Sequence, residues 1–144
     1  MKIYTGMQKE DNKFVSGVTV HTEKGELVKS TRVFNAPSTN KYDNQLFLLE
    51  WAVKKIKTWS QNKVIDDNET ITLFIPSKTV YTWLEREVAP EPYTVRFSDI
   101  LLDLAFISNP VEIIFSKSAI SRVSFKESHE EKLEKVTDLF AVTQ

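Results

Sequence analysis

Thr70-Ile71-Thr72-Leu73-Phe74-Ile75-Pro76-Ser77 is the stretch that decides the architecture of this chain. β-Branched residues dominate it, and Phe74 makes it apolar on both faces, as expected of an interior strand. Pro76 stops the strand, and Ser77 caps a helix predicted to run to about Glu87, with Val80, Trp83 and Leu84 inward. Upstream, Asn44 to Trp59 repeats Leu46, Leu49, Val53 and Ile56 at helical spacing, with Ala52 beside them. Asp43 or Asn44 is its expected N-cap, and Lys54, Lys55 and Lys57 suit the negative pole at its far end. Ser60 to Glu69 is polar and reads as a solvated loop. Downstream, Pro90 and Pro92 mark a loop, Ser98 caps a helix to Ile107, Asn109-Pro110 ends it, and Val111 to Phe115 is the next strand. Strand–helix–strand units of this kind imply parallel pairing through right-handed crossovers.

Three strands precede the long helix. Lys2 to Met7 puts Ile3 and Thr5 on one face and Tyr4 on the other. Phe14 to Thr22 alternates Val18 and Val20 against Thr19 and His21. Glu23-Lys24-Gly25-Glu26 is a turn, with Gly25 suited to positive φ, and Leu27 to Asn35 returns antiparallel. Ala36 to Asn40 is a turn-rich loop. At the other end, Ser116 to Lys126 carries no clear period. Ser128-His129-Glu130-Glu131 matches a capping box, with Leu133, Val136 and Phe140 as the stripe of a last helix. The order β-β-β-α-β-α-α-β-α predicts an α/β fold, a five-stranded mixed sheet flanked by helices, in one domain spanning residues 1–144.

Composition narrows the function classes. The chain has 144 residues, 41% hydrophobic and 11% aromatic, which suits one packed domain and argues against disorder. Without cysteine there is no disulfide framework and no thiolate metal site. The start has no apolar run for a signal peptide, and no stretch is long enough for a membrane span, so a cytoplasmic protein without a membrane partner is expected. Nineteen basic against twenty acidic residues leave a net charge of -1, neither the basic balance of a dedicated nucleic-acid binder nor the acidity of a nucleic-acid mimic.

Three groups of residues invite a functional reading. Lys54, Lys55, Lys57 and Lys63, with Trp51 and Trp59, form either a basic–aromatic surface for a nucleic-acid strand or a solvated lysine face over core tryptophans. Tyr81, Trp83, Tyr93 and Phe97 surround the Pro90–Pro92 loop, as core rim or as anchors for a protein partner. His21 and His129, the two histidines, read as solvated rather than as a paired site. With three glycines there is no phosphate loop, and no serine sits in a nucleophile elbow. No cofactor is implied.

The segment order is that of the ribonuclease H-like superfamily, and several stretches resemble it locally. Ile3-Tyr4-Thr5-Gly6 is similar to a first strand that ends in Thr-Asp-Gly. Ser38-Thr39-Asn40 and the following helix resemble the family's loop and first helix, whose acid falls on Gln45. Leu73-Phe74-Ile75-Pro76-Ser77 resembles a strand ending in Asp-Ser. The resemblance implies a carboxylate cluster holding two metal ions for phosphodiester hydrolysis. Here the corresponding positions are Gly6, Gln45 and Pro76, and the remaining acid near the family's fourth site is Glu134. Two-metal hydrolysis needs several carboxylates around cations about 4 Å apart. Glycine and proline offer none, and glutamine offers one neutral oxygen. Glu50 lies five residues past Gln45, about 140° around the helix, and points elsewhere. No metal site is therefore expected.

These readings describe a catalytically degenerate ribonuclease H-like protein acting as a protein-interaction or regulatory module. Its lysine-, asparagine- and isoleucine-rich style suits a bacteriophage or low-GC bacterial product; a viral source would make it a modulator of a host enzyme in the host cytoplasm. One alternative is a nucleic-acid-binding module without cleavage, for RNA–DNA hybrid, RNA or DNA. Asn40, Lys41, Lys54, Lys55 and Lys57 would carry it, because the corresponding loop touches the hybrid in related enzymes. Another is a ribonuclease with a rearranged acid cluster.

Overall fold

Alternating apolar residues fold the first third of the chain into an antiparallel meander. The structure, a computed structural model, describes residues 1–11, 13–33, 40–117 and 129–130. Strand β1 (Lys2–Glu10) pairs antiparallel with β2 (Lys13–His21), and β2 with β3 (Leu27–Val33). Gly25 turns the second hairpin at a φ of 85°, a conformation that costs glycine little. β1 runs to Glu10 rather than Met7, because Gln8, Lys9 and Glu10 find ladder partners in Val15, Phe14 and Lys13. Gly6 therefore sits inside the strand, opposite Gly17.

Helix α1 (Lys41–Gln61) starts and ends beyond the predicted limits. Its N-cap is Asn40, not Asp43 or Asn44. Asn40 Oδ1 accepts from the amides of Tyr42 at 2.9 Å and Asp43 at 3.4 Å. Asn44 instead turns inward and donates from Nδ2 to the Asn40 carbonyl at 2.9 Å. Because the helix continues to Gln61, its last turn contains no basic residue, and the lysines do not serve the dipole there.

Strand β4 (Ile71–Ile75) lies between β1 and β5 (Val111–Phe115), parallel to both. Ile71, Leu73 and Ile75 are buried and Thr72 and Phe74 are half-buried, the pattern of a covered strand. Helix α2 (Lys78–Arg86) is capped by Ser77 as expected, with Ser77 Oγ accepting from the Val80 amide at 3.1 Å. Helix α3 (Thr94–Ala105) begins four residues earlier than expected. Ser98 is an exposed helical residue, and Tyr93 occupies the N-cap without a side-chain bond. The helix start expected at Ser128 is corrected as well. His129 and Glu130 form β6 (His129–Glu130), antiparallel to Lys29 and Ser30 of β3. The strand order is β5-β4-β1-β2-β3-β6, five strands with a two-residue addition at one edge. The rest of the expected last helix, with Leu133, Val136 and Phe140, lies outside the described residues.

The core lies between the sheet and α1, α2 and α3. Ile3, Val18, Val20, Ile71 and Leu73 from the sheet meet Leu46, Leu49, Val53, Ile56 and Trp59 from α1, and Phe97 and Ile100 from α3. Trp59 is completely buried, so it is core and not part of a surface platform. A polar knot closes the α1 end. Ser60 Oγ donates to Asn109 Oδ1 at 2.6 Å, and Asn109 Nδ2 donates to the carbonyls of Asp66 at 2.6 Å and Glu69 at 3.0 Å. Each buried group there gains a partner, so the turn leading to β5 is held without desolvation loss.

Candidate functional site

The C-terminal ends of the parallel strands β1 and β4 open toward the start of α1, and their residues define a small hollow. Thr5, Met7, Gln45, Leu49, Pro76 and Ser77 are among its walls, and its volume is about 10 Å³, room for about one water. Thr5 lies one residue past the last position of β1 that pairs with β4, Tyr4 opposite Phe74. Its hydroxyl donates to the Phe74 carbonyl at 2.9 Å and continues the join between the strands. Ser77 Oγ donates to Gln45 Oε1 at 2.8 Å while accepting the Val80 amide, so one hydroxyl both caps α2 and ties α1 to the end of β4. Gln45 and Pro76 therefore share this hollow. Gly6 does not line it. Strand alternation directs position 6 to the face opposite Thr5 and Met7, the face where Tyr4 stacks on Phe74 with ring centroids 4.5 Å apart.

No protein-family model and no curated protein matches the sequence. Solved structures do match. The crystal structure of LC11-RNase H1 in complex with RNA/DNA hybrid superposes with a TM-score of 0.67 at 16% identity, covering 85% of this chain and 89% of that one. RNase H1 from the halophilic archaeon Halobacterium salinarum superposes with a TM-score of 0.61 at 15% identity, covering 82% and 86%. The N-terminal RNase H domain from Mycobacterium tuberculosis gives 0.52 at 13% identity, covering 85% and 93%. The fold is ribonuclease H-like.

A ribonuclease H-like fold raises the question of a metal pair, and the donor set at the hollow does not fit one. Among the described residues its walls carry no carboxylate, and its one side-chain amide oxygen already accepts from Ser77. Among the described residues no three His, Cys, Asp or Glu side chains gather closely enough to hold a metal ion. Glu50 points away, as its helical position requires, and faces Arg96 of α3 at 3.7 Å. Glu134 lies outside the described residues.

The lysines separate. Lys54 is exposed, whereas Lys55 is 5% exposed with its Nζ 5.0 Å from the Trp51 ring centroid. Lys57 Nζ bonds Asp103 of α3 at 3.0 Å and lies over the Phe106 ring. Asn40 and Lys41 sit at the opposite end of the helix, about 20 Å away along its axis. Lys54, Lys55 and Lys57 thus meet different surroundings within about one turn of helix.

The aromatic residues divide in another way. Trp83 stacks on Tyr93 at 5.5 Å between centroids, and Tyr42 joins them at 5.8 and 6.1 Å. Phe97 meets Trp83 edge-on from within the core, where it is 1% exposed. Asn40 Nδ2 donates to the Tyr93 hydroxyl at 3.0 Å, and Lys41 lies over the Tyr42 ring. Tyr81 is on the other side of α2, against Phe115 of β5, as its separation of two residues from Trp83 on a helix dictates. The sequence reading did not include Tyr42. Its place beside the Asn40 cap was the available signal, had the helix start been set at Lys41.

A second, larger depression lies between α2, α3 and β5. It encloses about 590 Å³, with Tyr81, Leu84, Leu101, Leu104, Val111 and Ile113 as apolar walls and Glu85 and Glu87 at its rim. Among the described residues no helix is long and apolar enough to cross a membrane.

Proposed function

We propose that this chain is a ribonuclease H-like module that does not cleave nucleic acid and acts through a protein partner, in a regulatory role. The observation that carries the reading is the Gln45–Ser77 hydrogen bond at the end of β4. The neighbouring walls are Leu48, Leu49, Ile75 and Pro76. A cation pair there would have to be neutralised by carboxylates that these positions do not supply, and an uncompensated charge in such a setting costs several kcal/mol, on the order of the penalty for any unpaired buried ion. If the source is a bacteriophage, the partner is a host enzyme.

A nucleic-acid-binding role without cleavage is the second reading. It is favoured by Asn40, Lys41, Tyr42, Trp83 and Tyr93 gathering at the start of α1, and by a structural neighbour that was solved with RNA/DNA hybrid. Binding of this kind would weaken steeply with salt.

The deciding experiment incubates the purified chain with RNA–DNA hybrid, RNA and DNA in magnesium and in manganese. No cleavage is expected, and calorimetric titration with either cation gives no heat of binding. Metal-dependent cleavage that disappears in Glu134→Ala overturns the proposal in favour of a rearranged acid cluster. Salt-sensitive retention of hybrid without cleavage moves the role to the second reading.

A further inference from the structure

We propose that the outer edge of β5, with the groove it forms against α2 and α3, docks an extended segment of a protein partner in which apolar residues alternate with lysine or arginine. This rests on the protein-interaction reading above and gives it a site. β5 ends the sheet. β4 pairs with one side of it, and among the described residues no strand pairs with the other. The outward N–H and C=O groups of such an edge are a template for an added strand.

Alternation along β5 specifies what that strand must carry. Val111 and Ile113 face the groove, whose volume of about 590 Å³ is ample for several apolar side chains. Tyr81 and Leu84 wall it on one side and Leu101 and Leu104 on the other, all half-buried. Glu112, between Val111 and Ile113, is exposed and directed to the opposite face of the sheet. Glu85 and Glu87 stand exposed at the groove's rim. An added strand would therefore press alternate residues onto the apolar walls and bring the intervening ones beside Glu112. The rim acids stand on the groove side, so they act on those residues through the local field and not through direct pairs. Arg86 shares their turn but does not line the groove. A single edge glutamate would serve equally to discourage strand pairing between copies. Two more acids on a separate helix, around an open apolar channel, are not needed for that. They select a cationic segment over an acidic one, and nucleic acid is repelled.

The test uses the whole purified chain and labelled peptides of about eight residues, the common strand length. One peptide alternates valine with lysine, a second has glutamate for each lysine, and a third has proline in place of alternate residues. Fluorescence anisotropy gives affinities, and amide chemical shifts locate the site. The valine–lysine peptide should bind, with shifts concentrated on 111–115. The other two should bind at least about tenfold more weakly. Glu112→Lys and Glu85→Lys, both at exposed positions, should each weaken the lysine peptide up to about fivefold. Equal affinity for the lysine and glutamate peptides, shifts centred elsewhere, or no binding overturns the proposal. So does a dimer of this chain formed through β5. The cleavage assay decides the parent reading separately, so an inert chain that ignores the peptides loses this site alone.

Discussion

The hollow at the end of β1 and β4 and the groove beside β5 lie on the same helix-covered side of the sheet, yet they end in opposite states. In the hollow about 10 Å³ remains, and the Thr5 and Ser77 hydroxyls have partners. The groove leaves about 590 Å³ open, with acids at its rim. The difference follows from cover. The 21 residues of α1 lie over the middle of the sheet, where β1 is held from both sides by β2 and β4. Among the described residues β5 has one strand neighbour, and the nine-residue α2 packs against it. Where side chains close over the sheet the protein gains stability and keeps little room for a ligand. Where cover by the described elements is thin, apolar surface stays open.

The largest test of that contrast is a pair of truncations. Leu49→Ala beside the hollow should cost about 3 kcal/mol in urea unfolding, within the range for fully buried leucines. Leu84→Ala in the groove should cost about 1 kcal/mol, since part of that side chain already meets water. Equal losses would make the groove part of the core. Ser77→Ala comes next, at about 1–2 kcal/mol, because it removes the α2 cap and leaves Gln45 Oε1 without its donor. A smaller loss would mean that water satisfies both groups and that the hollow is wetter than its walls suggest. Asp103→Asn should cost about 0.5–1 kcal/mol, the ordinary worth of a partly exposed pair such as Lys57–Asp103. Leu102→Lys, on the exposed outer face of α3, should change stability by no more than about 0.5 kcal/mol and leave the melting temperature in place. A larger loss there would reveal that this face is already covered.

Much of the fold was legible because apolar period and strand stops are local. Leu46, Leu49, Val53 and Ile56 marked one buried stripe, and all are core. Pro76 and Ser77 marked where β4 ends and α2 begins, and both do so. Helix starts were less legible. Asn40 outcompeted Asp43 and Asn44 as the α1 cap because Tyr93, distant in sequence, holds its amide group in place. Ser98 was an adequate cap by residue type, but α3 packs Phe97 into the core, so the turn before Ser98 is already helical. His129 and Glu130 satisfied a helical capping pattern and instead found a strand edge at Lys29 and Ser30. The candidate site divided in the same way. The absence of acids at Gly6, Gln45 and Pro76 is a statement about residue types and was complete in the sequence. Which residues meet there was not.

By itself, then, the amino-acid order determined the succession of strands and helices from β1 to β5, the burial of α1's stripe and the lack of carboxylates at three positions. Each of these depends on residue type and on neighbours within a few turns of chain. The tertiary structure alone decided that Ser77 donates to Gln45, that Tyr42 joins Trp83 and Tyr93, that Lys55 and Lys57 face different partners, and that a groove opens beside β5. Apart from Lys55 over Trp51 within α1, those contacts join segments distant in the chain, and their geometry follows from how helices of unequal length settle on one twisted sheet.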